Sequence, residues 1–499
     1  MANENHIPVI IGIGQLNDRP DDPDAGLDSQ ELMLAALRLA EQDAGVALLS
    51  RLDSLAVVDQ ISFRHLNPLD RKLADAVGAN PVHCYQSDAP HGDTPIRLLN
   101  EAANRIGAGE IKLAAIVGAE ALRTAGGRLA KHGTPQKDVF DGVRADQNRE
   151  PGYLQQFGLK APIDFYPLYE NAGRAAYGQS LKEGQAESAA IWAAFSEVAA
   201  TNDGAWVRQP VNAERIVTSD ESNRPIAFPY NKLMVANASV NQGACFIVAS
   251  LAEARRLGIS EDRMIYVGMG AAAKEPANIL QRDRYDRSSS MDVSILRTLE
   301  LNALTAHDFD HVELYSCFPC VPKMARRTLG WPLEKPATVF GGLTFGGGPI
   351  ANYMSHAVVS MVAKLREGGR NGFLFANGGF ATDNHCIVVS NQSVAAANFP
   401  QDFNYQKEAD AARGTVPELD KEFVGEGLIE TYTVFYGRDR QPSGGVVVVR
   451  TTNGGRTLAH VDSENAHLIT FLTNGEIEPV GTAGNIYRAA NGKRYWQSQ

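Results

Sequence analysis

The chain has 499 residues, 44% hydrophobic and 21% charged, with a formal net charge of −11. That length exceeds one hydrophobic core, so several domains are expected. The acidic balance argues against a nucleic-acid partner or an anionic membrane surface, both of which need a basic face.

A CoA-like ligand stays open, because a few amides and Lys/Arg side chains suffice to hold phosphate. Five scattered cysteines (Cys84, Cys245, Cys317, Cys320, Cys386) do not form a disulfide framework, and a cytoplasmic location is expected. The N-terminal residues have no charged-then-apolar signal pattern, and no apolar run reaches the roughly 18 residues of a membrane span.

Val9 to Gly14 reads as a first buried strand, and Ser29 to Ala44 has helical spacing. Leu52 to Ile61 and Asn80 to Asp88 read as strands. Pro90-His-Gly-Asp-Thr-Pro95 is a turn into a helix, with Asp93 or Thr94 as cap and Pro95 at its first position. The helix ends at Gly107, and Leu113 to Glu120 is a central strand. From about Leu122 to Ile216 the alternation stops in a polar, Gly-, Tyr- and Pro-bearing stretch that includes Pro151-Gly-Tyr153. One long helix is predicted there, over Ser180 to Ala200. This reads as an insertion covering one end of a sheet.

Sheet grammar returns from Ala227 to Ser250. Met264 to Met269 is a strand, Met291 to Leu304 a helix, and Val312 to Leu314 a strand. Pro322 to Leu329 is a helix, Val339-Phe340 a short strand, and Pro349 to Arg366 a helix. Gly372 to Ala376 and Cys386 to Ser390 are strands. A small-residue turn, proline, helix, strand and glycine recur in the two parts of the chain, which suggests two similar halves. The last part, about 405–499, is different in kind. Ile429 to Tyr436, Val446 to Arg450, Thr457 to Val461, Leu468 to Leu472 and Arg494 to Trp496 read as strands around a Thr451 to Arg456 turn.

Three strand ends stand out: Glu313-Leu-Tyr-Ser-Cys-Phe318, Gly341-Gly-Leu-Thr-Phe-Gly-Gly-Gly-Pro349 and Phe375-Ala-Asn-Gly-Gly379. With Asn237-Ala-Ser-Val-Asn-Gln-Gly-Ala244, they make residues 6–392 resemble the thiolase superfamily, in its sterol-carrier-protein type. With the extra C-terminal β segment, the chain is similar to thiolase-like proteins of type 1, often labelled acetyl-CoA acetyltransferases. The resemblance implies an α/β fold of two similar halves in an α/β/α/β/α layering. Residues 1–121 and 217–255 would form the first half, 122–216 a loop-domain insertion, and 256–395 the second half. A small β-rich, OB-like domain would follow over 405–499, closing the pocket or standing where a dimer partner would.

The catalytic slots depart from the family. The resemblance puts the nucleophilic cysteine slot at Gly92, the activating histidine at Gly348, the acid/base cysteine at Ala376, and the first motif's His or Asn at Tyr315. Glycine cannot attack a thioester, so an acyl-enzyme route is not expected. Candidate catalytic residues are then His91 at the helix start, Tyr315, Ser316 and Cys317 at one strand end, and Asn377 at another. A tyrosine there can hydrogen-bond an enolate or oxyanion. Alternatively, His91 is a satisfied turn residue, Tyr315 packing and Cys317 a buried thiol. Candidate CoA contacts are Gly92, Asn237, Ser239, Gly346, Gly347, Gly348, Gly378 and Gly379, although such glycines equally let chain segments approach closely. Cys317-Phe-Pro-Cys320 lacks a second pair, so neither a redox pair nor a metal site is expected.

The expected function is acyl transfer between substrates, or retro-aldol or retro-Claisen cleavage, on an acyl-CoA thioester without a cysteine nucleophile. The alternative is a degenerate thiolase that binds CoA esters or a partner. No covalently bound cofactor is expected; the CoA thioester is the substrate, and the chain is a monomer or homodimer.

Overall fold

The computed structural model describes residues 3–133 and 152–498. Pro151 lies outside the described residues. The first half contributes strands β1 (Pro8–Asn17), β2 (Ser54–Val57), β3 (His83–Gln86) and β4 (Leu113–Ala121). After the insertion, the two short strands β5 (Pro225–Ala227) and β6 (Tyr230–Asn231) lead to β7 (Asn241–Ser250). The second half contributes β8 (Ile265–Lys274), β9 (His311–Leu314), β10 (Asn371–Gly378) and β11 (Asp383–Ser390). Their order is β3-β2-β4-β7-β1-β8-β11-β10-β9.

The two halves repeat one plan. In each, the first strand lies antiparallel to the last: β1 beside β7, and β8 beside β11. The last then lies antiparallel to the one before it, β7 beside β4 and β11 beside β10, which in turn pairs in parallel with β2 or β9. Within the sheet the halves pair through Val9↔Tyr266 and Ile10↔Ile265. The helices Thr94–Gly107 and Tyr353–Glu367 are buried on most sides and touch each other, so they form a central layer. Helices Ser29–Ala44 and Ser289–Asn302 pack against β1 and β8, one for each half. Burial on all faces is the pattern expected for a central layer.

One member of the plan is missing from the second half. Val339-Phe340 is not a strand. The Val339 and Phe340 amides donate instead to the buried Glu313 carboxylate, at 2.8 and 3.3 Å. A buried acceptor takes the donors that a neighbouring strand would have used. Helix Asp70–Ala76 lies where no helix was predicted.

The insertion carries the long helix Leu181–Thr201, beside Leu122–His132, Tyr153–Gln156, Pro162–Ala176 and Ala213–Val217. Its helix Pro162–Ala176 leans on the C-terminal part, where Thr431 Oγ1 donates to the Leu168 carbonyl at 2.6 Å. That C-terminal part holds β12 (Gly425–Tyr436), β13 (Pro442–Thr451), β14 (Arg456–Val461), β15 (Ala483–Arg488) and β16 (Arg494–Ser498). The order β12-β13-β14-β16-β15-β12 closes on itself, and β5 and β6 extend it from β12. Leu468 to Leu472 is a helix, Ala466–Thr473, rather than a strand. Asn465 caps it through the Leu468 amide at 3.0 Å. Leu468, Ile469 and Leu472 then fall on one face and fill the core of the ring; in so short an all-apolar run the helical and strand periods cannot be told apart.

Candidate active site

The helix Thr94–Gly107, one of the two central helices, starts against the ends of β8, β10 and β11. Register brings three loops together there. Gly378 faces Asp383 across β10 and β11, and Asp383 faces Lys274 across β11 and β8. Lys274 Nζ therefore lies 2.8 Å from one Asp383 oxygen, and His91 Nδ1 lies 3.5 Å from the other. Asp93, at the helix cap position, makes no capping bond with its side chain. Its carboxylate points into the same cluster: one ligand atom each from His91, Asp93 and Asp383 lie within 4.8 Å of one another.

The electrostatics sort these groups. Burial alone would raise the Asp383 carboxyl, but the bonds from His91 and Lys274 outweigh it and hold it at about 2. The hydrogen bond to Asp383 raises the His91 imidazole above its ordinary value, against some desolvation. Asp93 goes the other way: burial first, then the Asp383 charge, push its carboxyl up. A cation could use the three side chains as ligands, but the Lys274 ammonium already supplies Asp383 with positive charge.

Tyr315 enters from β9. Its amide donates to the Phe375 carbonyl at 3.0 Å, and its ring meets Tyr353 edge-on at 5.5 Å. A β-carbon built on Gly92 would lie 2.7 Å from the Tyr315 hydroxyl and 2.2 Å from the Asn377 carbonyl oxygen. The space that a side chain at position 92 would take is thus filled by a phenol and a backbone carbonyl. Burial raises the Tyr315 phenol well above its usual range, so it remains a donor.

The other candidates are placed as follows. Ser316 is fully buried and accepts the Leu343 amide at 3.3 Å. Cys317 is buried, and burial pushes its thiol up to about 12, so it is a thiol at neutral pH. Asn377 is buried; its amide nitrogen donates to Asn384 Oδ1 at 2.9 Å. Gly379 has φ +62°, and its carbonyl accepts the Tyr166 hydroxyl at 2.9 Å. Gly378 backs onto Asp93: a β-carbon there would stand 3.2 Å from Asp93 Oδ1.

The glycine loop lies apart, in close-packed surroundings. Gly346 accepts the Trp206 amide and the Gln242 side chain, both at 2.9 Å, and a β-carbon on Gly347 would meet Gln242 Oε1 at 2.1 Å. Gly348 donates to the Asn237 carbonyl at 2.8 Å, while Ser239 is exposed beyond it. Sequence reasoning overlooked Asp93 as a site group, along with Asp383, Lys274 and Tyr166. Asp93 had been read as a cap, and nothing local distinguishes Asp383 from a strand-end acid; only the cross-strand register joins them.

A family profile described as "Thiolase-like protein type 1 additional C-terminal domain" matches residues 406–489. The crystal structure of a monomeric SCP2-thiolase like protein type 1 from Mycobacterium smegmatis is 28% identical, covers 99% of this chain and 100% of that one, and superposes with a TM-score of 0.82. An "Ltp2-ChsH2(DUF35) aldolase" is 17% identical, with a TM-score of 0.59 over 78% of this chain and all of that one. Human mitochondrial 3-ketoacyl-CoA thiolase in complex with CoA is 16% identical, with a TM-score of 0.57 over 78% of this chain and 99% of that one. These last two share the fold alone. No curated protein matches the chain in sequence. No helix among the described residues is long and apolar enough to cross a membrane. Over its whole length the chain is thus similar in sequence and fold to an SCP2-thiolase-like protein of type 1, and it carries the additional C-terminal domain described for thiolase-like proteins of type 1.

Proposed function

We propose that the protein acts on acyl-CoA thioesters and breaks or makes a carbon–carbon bond by proton transfer, with no acyl-enzyme. The observation that carries this reading is the Tyr315 hydroxyl, which stands where a nucleophile at position 92 would be. A donor at that point can hold a thioester oxygen as it turns into an enolate. Beside it lie a histidine whose proton affinity is raised and two carboxylates of opposite tendency. Groups pushed apart in this way divide acid and base roles. Asn237, Ser239 and the loop Gly346 to Gly348 are proposed to seat the CoA moiety. The closed five-strand ring, with a helix between its third and fourth strands, supports an OB-like reading of the C-terminal domain.

Turnover of a panel of β-keto- and β-hydroxyacyl-CoA thioesters, measured beside CoA calorimetry, tests this reading. Cleavage without accumulation of an acyl-enzyme in mass spectra supports it. CoA binding without turnover of any thioester would replace it with a binding protein.

A further inference from the structure

Asp93 is the group the fold leaves unexplained. It is 7% exposed, and its side chain has neither a hydrogen bond nor an ion pair among the described residues. A buried carboxylate ordinarily has partners, and leaving one unpaired destabilises the fold. It holds the helix cap position, yet with φ −85° and ψ −9° its backbone is helical rather than extended, and its side chain caps nothing. The fold instead turns it toward Gly378, near the Tyr315 phenol. The neighbouring cations Arg97, Lys274 and His91 draw its carboxyl down, but by less than burial and Asp383 push it up. Asp383 opposes it, Lys274 and His91 are committed to Asp383, and Arg97 stands one turn on, paired with Glu101 at 2.8 Å.

We propose that the Asp93 carboxylate removes the substrate's proton in this site, and that the substrate is a β-hydroxyacyl thioester. The inference rests on the carbon–carbon bond reading above. A β-keto thioester cannot be cleaved until something attacks its ketone, and the site offers glycine at position 92 and a buried thiol at Cys317. A β-hydroxy thioester needs only a base at its hydroxyl and a donor at its thioester oxygen. Asp93 takes the hydroxyl proton, and the O–H electron pair becomes the new carbonyl π bond. The Cα–Cβ bond breaks, and its pair is held as the thioester enolate against the Tyr315 hydroxyl. The α-carbon then takes a proton from the His91 imidazolium. The products are an aldehyde or ketone and a shortened acyl thioester. The Asp93 proton passes back to His91, which is open to solvent, and no oxidant or water is consumed.

Asp93→Asn tests this in the full-length protein, with β-hydroxyacyl-CoA thioesters as probes. A general base contributes about 10²–10⁴ in rate, so kcat should fall at least a hundredfold while CoA affinity stays unchanged. The thermal midpoint should hold or rise, because the variant removes an unpaired buried charge; a carboxylate kept for structure would lower it. Asp93→Glu should recover part of the rate and keep the acidic limb of the pH profile, which Asp93→Asn should lose. It also serves if the asparagine variant does not fold. Wild-type-like turnover in either Asp93→Asn or a folded Asp93→Ala variant overturns the proposal. Cleavage of β-keto but not β-hydroxy thioesters by the parent overturns it while leaving the carbon–carbon bond reading in place. Absence of turnover with every thioester removes both.

Discussion

The Tyr315 hydroxyl stands 2.7 Å from where a β-carbon on Gly92 would be. The two residues form one arrangement: the side chain missing from the helix start is replaced in space by the phenol arriving from β9. Gly92→Cys therefore does not recreate a thiolase. Its side chain would meet the Asn377 carbonyl at 2.2 Å, a backbone atom that cannot swing aside. Overpacking of this kind costs about 1–3 kcal/mol. Denaturant unfolding should report that loss, and shortening Tyr315 to Ala in the same chain should recover only part of it.

Tyr315→Phe separates the phenol's chemistry from its packing. The ring and its edge-on contact with Tyr353 stay, so the unfolding midpoint should move little. Loss of one oxyanion-type donor typically costs about 10²–10³ in rate. The expected result is a fall of that size in kcat with KM for the thioester nearly constant; an unchanged kcat would take Tyr315 out of the site.

Titration of His91 offers a reading that needs no substrate. Its hydrogen bond to Asp383 raises the imidazole above its ordinary value. Stability from this pairing is fully present below the unfolded histidine's pKa and is lost as pH rises through the folded one. Asp383 is the mirror case. Its folded value of about 2 lies below the unfolded one, so its contribution is present above the unfolded value and is lost as pH falls toward 2. Histidine NMR should show the His91 midpoint shift downward in Asp383→Asn.

Two buried histidines should weaken the fold in acid. Burial lowers both His356 and His385 to about 3, and in each one ring nitrogen lacks a hydrogen-bond partner. Both stay neutral in the folded protein while their unfolded counterparts take up protons below about pH 6.5. Their own contribution should be level above that pH and decline from about 6.5 toward 3, while the buried Glu120 and Glu313 carboxyls, raised to about 7, act in the opposite sense between about 7 and 4.5. Urea midpoints of the parent and of a His385→Gln variant isolate the histidine part: the variant should lose less stability between about pH 6.5 and 4 than the parent, and equal slopes would contradict it.

Arg456 is the point where the C-terminal ring is fixed to the body. Its guanidinium is fully buried, paired with Glu430, and donates to the Leu280 carbonyl at 2.8 Å and to the Arg282 carbonyl. Removing one partner of a buried pair costs about 3–5 kcal/mol. Arg456→Ala should lower the unfolding free energy by that order in denaturant titrations, whereas Arg450→Ala, at the half-exposed edge of the same acid, should change it by less than about 1 kcal/mol.

Much of the fold was readable because buried strands announce themselves as short apolar runs, as Val9 to Gly14 and Gly372 to Ala376 do. The elements that were misread were decided by distant partners. Val339 and Phe340 have strand composition, yet their amides belong to Glu313. Leu468 to Leu472 is apolar throughout, so only the ring it plugs determines that it is a helix. The same holds at the site. Tyr315 and Gly92 drew attention only through the resemblance to the thiolase motifs. Asp93 had an ordinary local role available as a cap, and Asp383 becomes significant only when β11 pairs with β8 and β10.

The Arg456 contact extends further than the domain boundary. Arg282, whose carbonyl Arg456 holds, uses its own guanidinium to grip the carbonyls of Phe380 and Ala381 at 2.9 and 3.0 Å. Ala381, at φ +54°, donates its amide to the Tyr166 hydroxyl at 3.1 Å, two residues before Asp383. Two arginines in series thus splint the turn between β10 and β11. The last hundred residues of the chain, which contribute no side chain to the cluster of His91, Asp93, Asp383 and Lys274, help hold the turn that carries Asp383, so a chain shortened before them would keep all four groups and lose the brace behind one of them.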